Sequence, residues 1–199
     1  MYARRRQQGL TLIELIVFIV IVSVALAGIL SVLNLTARSS ADPMIRKQML
    51  AIAEGLMDEV AAQPFTWCDP DDPAAATANA VAACATPEVT APGAPEAGET
   101  RGGAVTPFDN VNDYNGCGPG VVACNLASPI PSITGTFTAP AGYSAGITVV
   151  QSALGPAANP VPAAASLLIT VTVNFAGENI TVEGYRTRYA PNSLPWRPP

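Results

Sequence analysis

Ser144 lies in Gly142-Tyr143-Ser144-Ala145-Gly146, a formal match to the G-x-S-x-G turn that presents a serine nucleophile. That chemistry needs a strand-to-helix turn and a histidine base, yet the segment sits among β-like residues in a chain with no histidine. The match is therefore read as a glycine-flanked strand start. The missing imidazole also removes the commonest general base and the commonest metal ligand. Two acidic runs, Asp69-Pro70-Asp71-Asp72 and Asp109-Asn110-Val111-Asn112-Asp113, place oxygen ligands close together and could gather calcium. Neither follows the twelve-residue EF-hand loop, so turn formation and solvated charge account for them, and no cofactor is expected. Nothing here makes an enzyme.

The four cysteines, Cys68, Cys84, Cys117 and Cys124, all follow the one long apolar segment. An even number in an exported part predicts disulfides, and the absence of histidine and of C-x-x-C spacing argues against zinc. Three pairings are open. Nearest neighbours, Cys68 with Cys84 and Cys117 with Cys124, are preferred because each bond would staple a loop that lacks obvious core residues. In the chain-entropy account a loop of about 15 residues closed this way contributes roughly 3 kcal/mol.

One carboxylate stands out by its surroundings. Glu14 precedes nineteen uncharged residues, Leu15 to Leu33, which as a helix reach about 28 Å, close to the roughly 30 Å hydrocarbon core of a bilayer. Arg4, Arg5 and Arg6 come before the segment and acidic sequence follows it. The positive-inside rule then leaves the N-terminus in the cytoplasm and exports the remainder. A secretory signal would instead be shorter and be cut after the apolar run, where Ala25, Ala27 and Gly28 imitate a cleavage site. The net charge is −5, and without the three arginines the balance is seven basic to 15 acidic residues. With no basic patch interleaved with aromatics, nucleic acid is not an expected partner.

The stretch Gly9-Leu10-Thr11-Leu12-Ile13-Glu14, following a short basic leader and preceding about twenty apolar residues, resembles the type IV prepilin signal. The resemblance implies cleavage between Gly9 and Leu10 by prepilin peptidase on the cytoplasmic side, with methylation of the new amine. Leu10 stands where the family usually has phenylalanine. It further implies that Glu14 pairs with the first-residue amine of an adjacent subunit. The physics agrees: a carboxylate costs roughly 2.5–3.5 kcal/mol at mid-membrane and less near an end, so a neighbouring positive charge is a favourable partner. The expected partners are other pilin subunits through the N-terminal helix and the inner-membrane assembly platform. The expected location is the inner membrane, single pass with the head in the periplasm, and then an extracellular pilus.

The elements that must position these groups follow from periodicity. Ile45, Met49, Ile52, Leu56 and Val60 recur at helical spacing while Arg46, Lys47, Glu54, Asp58 and Glu59 fall elsewhere, which predicts an amphipathic helix. Asp42-Pro43 predicts a kink or restart within it, and Gln63-Pro64 its end. Thr66 to Gly120 is rich in Ala, Pro, Thr, Gly, Asp and Asn with little periodicity, a long loop region. Strand patterns follow at Ile133–Ala139, Tyr143–Gln151, Leu167–Phe175 and Asn179–Tyr189, with Ala176-Gly177-Glu178 closing a hairpin. The chain therefore divides into a leader (1–9), a transmembrane and assembly helix (10–35), an amphipathic helix (36–63), a cysteine-bearing loop region (64–132) and a C-terminal antiparallel sheet (133–199). The fold class is α+β, and the resemblance implies a pilin fold with about four strands across the helix.

Three later blocks, Ala51 to Pro73, FDNVNDYNG at Phe108 to Gly116 and GYRTRY at Gly184 to Tyr189, are similar to MshD-like minor pilins of the mannose-sensitive haemagglutinin type. Ser31 occupies the place where major pilins often carry proline, a further hint of a minor subunit. The alternatives are a minor pseudopilin of a type II secretion system, which shares the anchor and differs in the head, and an adhesin or ligand-binding tip subunit contacting its target through loops between Cys68 and Cys124.

Overall fold

The computed structural model describes residues 11–88 and 95–192, with the backbone alone at 35–42. The chain divides into two units, Met1–Ile45 and Arg46–Pro199. One helix, α1, is assigned from Leu12 to Ala62 with Pro43 inside it. Of the kink or restart expected at Asp42-Pro43, the restart does not occur: the helix runs through Pro43, where proline lacks the N–H for one backbone hydrogen bond.

In the first unit, Leu12–Asn34 has a mean hydropathy of 3.0 over its most apolar stretch and buries none of it inside the chain. Among the described residues this is the one helix long and apolar enough to cross a membrane. One of its hydroxyls is internally satisfied, since Ser23 Oγ donates to the Ile19 carbonyl at 2.7 Å. That bond lets a polar side chain sit on an apolar helix without an orphaned donor.

In the second unit, the helix from Arg46 onward buries Met49, Ala53, Leu56 and Val60, each at most 4% exposed. The spacing of four, three and four residues is one helical face. That face packs on a three-stranded antiparallel sheet of order β1-β2-β3, with β1 Ser144–Gln151, β2 Ser166–Phe175 and β3 Glu178–Thr187. Period-two alternation sends Ala145, Ile147 and Val149 of β1 and Leu167, Ile169, Val171 and Val173 of β2 to the same buried face. Register pairs them directly: Ala145 with Val173, Ile147 with Val171, Val149 with Ile169. Gly184 of β3 lies opposite Ile169, and a Cβ there would meet Met57 Sδ at 2.9 Å. The glycine thus allows helix and sheet their close approach.

The β2–β3 hairpin turns on Ala176 and Gly177, both at positive φ (50° and 89°). Those are the angles of the two-residue turn whose twist matches its strands. The fourth expected strand, Ile133–Ala139, is absent. Gly135 at φ 67° reverses the chain there, Phe137 N–H folds back to Ser132 Oγ, and Phe137 is left 75% exposed. A turn over the first four residues of a seven-residue segment leaves no arm long enough for a strand.

The region between helix and sheet is irregular but not empty of core. Phe65, Phe108, Val111, Tyr114, Leu126 and Ile130 are all buried. They lie outside the two loops that the disulfides close, where Ala75 and Ala78 are the buried hydrophobics besides the cysteines; single apolar residues in turns carry no periodicity, yet they fill the same interior.

Candidate assembly helix and carboxylate cluster

The start of α1 is a capping box. Glu14 N–H donates to Thr11 Oγ1 at 3.4 Å, and Glu14 Oε2 reaches back to the Thr11 N–H at 3.5 Å. Thr11 is thus the N-cap and Glu14 the third helical residue, which satisfies two donors that a helix start leaves orphaned. The carboxylate is also well placed against the positive end of the helix dipole. The T-x-x-E spacing before an apolar run was the signal for this second role of Glu14, and sequence reasoning passed over it. Gly9 and Leu10 lie outside the described residues.

The second unit is tied by both disulfides. Cys68 is bonded to Cys84 and Cys117 to Cys124. Around the first, Cys68, Ala75 and Ala78 form a small core with Trp67 against it, and Asn192 Nδ2 donates to the Ala75 and Ala78 carbonyls at 2.9 and 2.8 Å. The second lies along the free edge of β1. The N–H groups of Ala145, Ile147 and Val149 point away from β2, and each finds an acceptor in the loop: the Leu126 carbonyl at 3.4 Å, the Cys117 carbonyl at 2.8 Å and Asn115 Oδ1 at 2.9 Å. An edge strand left unpaired would invite another chain.

FDNVNDY owes its place to side-chain bonds. Asp113 Oδ2 accepts from the Asp109 and Asn110 N–H groups at 2.9 and 2.7 Å. Asn110 Nδ2 donates to Thr66 Oγ1 at 2.7 Å, Asn112 Nδ2 to Glu88 Oε2 at 3.3 Å and the Tyr114 hydroxyl to Glu59 Oε1 at 3.0 Å. The block therefore joins helix, loop and acidic residues at one point. Its neighbours Trp67 and Phe65 hold the Arg188 guanidinium over their rings at 4.2 and 3.8 Å.

The acidic runs are not solvated charge, contrary to expectation. Asp69, Asp72, Asp109 and Asp113 are all buried, as are Glu88 and Glu99, and only Asp71 of the two runs is exposed. Turns are formed as expected: Asp69 Oδ1 accepts from the Asp71 N–H at 2.6 Å and Asp72 Oδ1 from the Ala74 N–H at 2.7 Å. What separates the carboxylates is the company they keep. Backbone N–H groups of Thr86 and Ala74 hold Asp72 below the usual range. Burial, reinforced by Glu96, instead pushes Glu88 up to about 8. Burial also raises Asp69, Glu99 and Asp113, with neighbouring carboxylates adding to it in each case. Asp72 is a turn anchor, whereas the others repel one another in a dry place.

Residues 4–30 match the family model of the prokaryotic N-terminal methylation motif. The match supports a type IV pilin-like or pseudopilin protein and points to a structural subunit rather than an enzyme, and the N-terminal apolar helix fits membrane anchoring. In general such a motif implies prepilin peptidase processing and assembly with other pilins. No curated protein and no solved structure matches the chain. The nucleophile-elbow pattern ends up where expected, at the entry to β1, with Gly142 at φ 97° and Tyr143 stacked on Phe175.

Proposed function

We propose that this chain is a minor type IV pilin of the MshD-like kind, cleaved after Gly9, held in the inner membrane through residues 10–35 and assembled into a pilus by that helix. The observation that carries the reading is the pairing of an unburied 23-residue apolar helix with a methylation motif over residues 4–30. An apolar helix of that length needs a bilayer or other helices around it. Cleavage leaves an amine at Leu10, four residues before Glu14 in the sequence, and in a filament the carboxylate serves an incoming subunit's amine. The head projects into the periplasm before assembly and outside the cell after it. A minor pseudopilin of a type II secretion system shares the anchor; an adhesin at the filament tip would use the same helix and a different contact surface.

Mass spectrometry of sheared filaments under non-reducing conditions tests this. The expected product begins at N-methylated Leu10 and keeps both disulfides. A chain retaining Met1, or one cut near Ala25 to Gly28, would overturn the reading. Recovery of the protein only with a secretion complex, with no pili, would favour the pseudopilin.

A further inference from the structure

Five carboxylates from four stretches of the chain, at Asp69, Glu88, Glu96–Glu99 and Asp113, converge at the 3-10 turn Val111–Tyr114. Asp69, Glu96 and Glu99 form one trio and Glu88, Glu96 and Asp113 another; within each trio one oxygen per residue lies within 4.8 Å of the others. Glu96 belongs to both. Oxygens sharing a calcium ion at about 2.3–2.6 Å stand at most roughly twice that distance apart, so each trio is compact enough to close on one ion.

Proximity alone would be a cluster of acids, but two buried oxygens of its members lack a hydrogen-bond partner. Glu88 is 2% exposed and Glu99 7%, and Glu88 Oε1 and Glu99 Oε2 have no hydrogen-bond partner among the described residues. Buried charges are paired or coordinate metals, and each orphaned buried oxygen requires an explanation. Protein cations do not supply it. The ion pairs among the described residues are Arg46 with Glu178 and Arg101 with Glu59, none of them in the cluster. Arg188 feels the charge of Glu88 but makes no ion pair with it: its Nη1 donates to the Ala164 carbonyl, its face lies over two aromatic rings, and its buried Nε and Nη2 find no acceptor among the described residues.

We infer that this cluster binds calcium-class divalent cations through Glu96, the ligand common to both trios, with the orphaned oxygen of Glu88 in one trio and of Glu99 in the other available as a further donor. The donor set selects the ion. All donors are carboxylate oxygens, the chain has no histidine and all four cysteines are in disulfides, so soft-metal chemistry has no ligand. Calcium accepts six to eight oxygens in irregular geometry, whereas magnesium demands a near-ideal octahedron and keeps its water, so calcium is preferred. Bound there, the ion joins the segment after Trp67, the segment at Glu96–Glu99 and the FDNVNDY block into one rigid unit. This role is independent of filament assembly.

The test uses the full-length chain in detergent after chelation and dialysis, titrated with calcium chloride and, separately, magnesium chloride by calorimetry, with thermal unfolding in calcium and in EGTA. Saturable calcium binding, weaker magnesium binding and a higher unfolding temperature in calcium are expected. Glu96→Gln should weaken calcium binding about tenfold or more, a loss that even outer-shell changes cause at metal sites. Glu54→Gln, on the exposed helix face, should leave it unchanged. Failure of the wild-type chain to bind calcium overturns the inference outright, and needs no variant to fold. So does a folded Glu96→Gln or Glu99→Gln chain, with both disulfides intact, that binds as wild type does.

Discussion

Arg101 grips Glu59 with two parallel bonds, Nε to Oε1 at 2.6 Å and Nη2 to Oε2 at 2.7 Å, while the two side chains are only 2% and 11% exposed. The pair fastens the loop region to the amphipathic part of α1, and the Tyr114 hydroxyl and the Pro131 carbonyl complete it. Glu59 was expected on the solvated face of the helix. Its partner lies 42 residues away, and no local pattern announces such a distant bond.

Removing one member of that pair strands the other. Glu59→Gln or Arg101→Met should each cost about 3–5 kcal/mol, the range for breaking a buried ion pair. Urea unfolding of the two variants and of the double variant would measure it. The double variant should lose less than the sum of the singles, because no buried charge is then left alone.

Glu14 carries a cap and a charge at once, and two substitutions separate them. Glutamine at the third helical position still closes a capping box; valine does not. If assembly needs the charge, Glu14→Gln and Glu14→Val should both be cleaved normally and both be depleted from sheared filaments. Wild-type amounts of Glu14→Gln in filaments would show that the cap alone matters. Gly9→Val should block cleavage, read as a chain heavier by the leader.

Gly142 has φ 97°, and a Cβ there would sit 2.8 Å from Phe175 Cε2. Gly142→Ala should therefore destabilise by about 1–3 kcal/mol through crowding and backbone strain together. A shift of the urea midpoint at unchanged slope would report a loss of stability; an unshifted midpoint would contradict the geometry.

Replacing Cys117 and Cys124 by serine should loosen the loop that covers β1. Residue-resolved amide exchange is the direct readout. The amides of Ala145, Ile147 and Val149, bonded to that loop, should exchange faster, while amides between β2 and β3 keep their protection. Uniform acceleration across all three strands would mean the bond supports the whole sheet.

Legibility in the sequence tracked periodicity. β2 was plain, since Leu167, Ile169, Val171 and Val173 alternate with polar or half-covered neighbours, and so was the helical face through Met49, Leu56 and Val60. Nearest-neighbour cysteine pairing, preferred because each bond staples a loop with little core of its own, is the pairing that forms. Ile133–Ala139 misled because its composition is β-like while Gly135 turns the chain within it. Pro43 does not end α1, because a single lost hydrogen bond need not break a helix already formed on both sides of it. The carboxylates were visible as runs, but their burial was not. Glu88, Glu96 and Glu99 come from outside both runs, and only the fold brings them to Asp69 and Asp113. Tyr114, Leu126 and Ile130 were hidden for the same reason: an irregular core is made of solitary residues.

The covering of β1 by residues Asn115 to Leu126 makes the sheet one-sided. Among the described residues no segment bridges β3, so an added strand, from a second copy or an extended peptide, has only that margin on which to align. A template with two open margins can recruit copies without limit and grow a ribbon. With one margin sealed, pairing through the backbone ends after a single addition, and two heads meeting in this way form a closed couple with nothing left to extend.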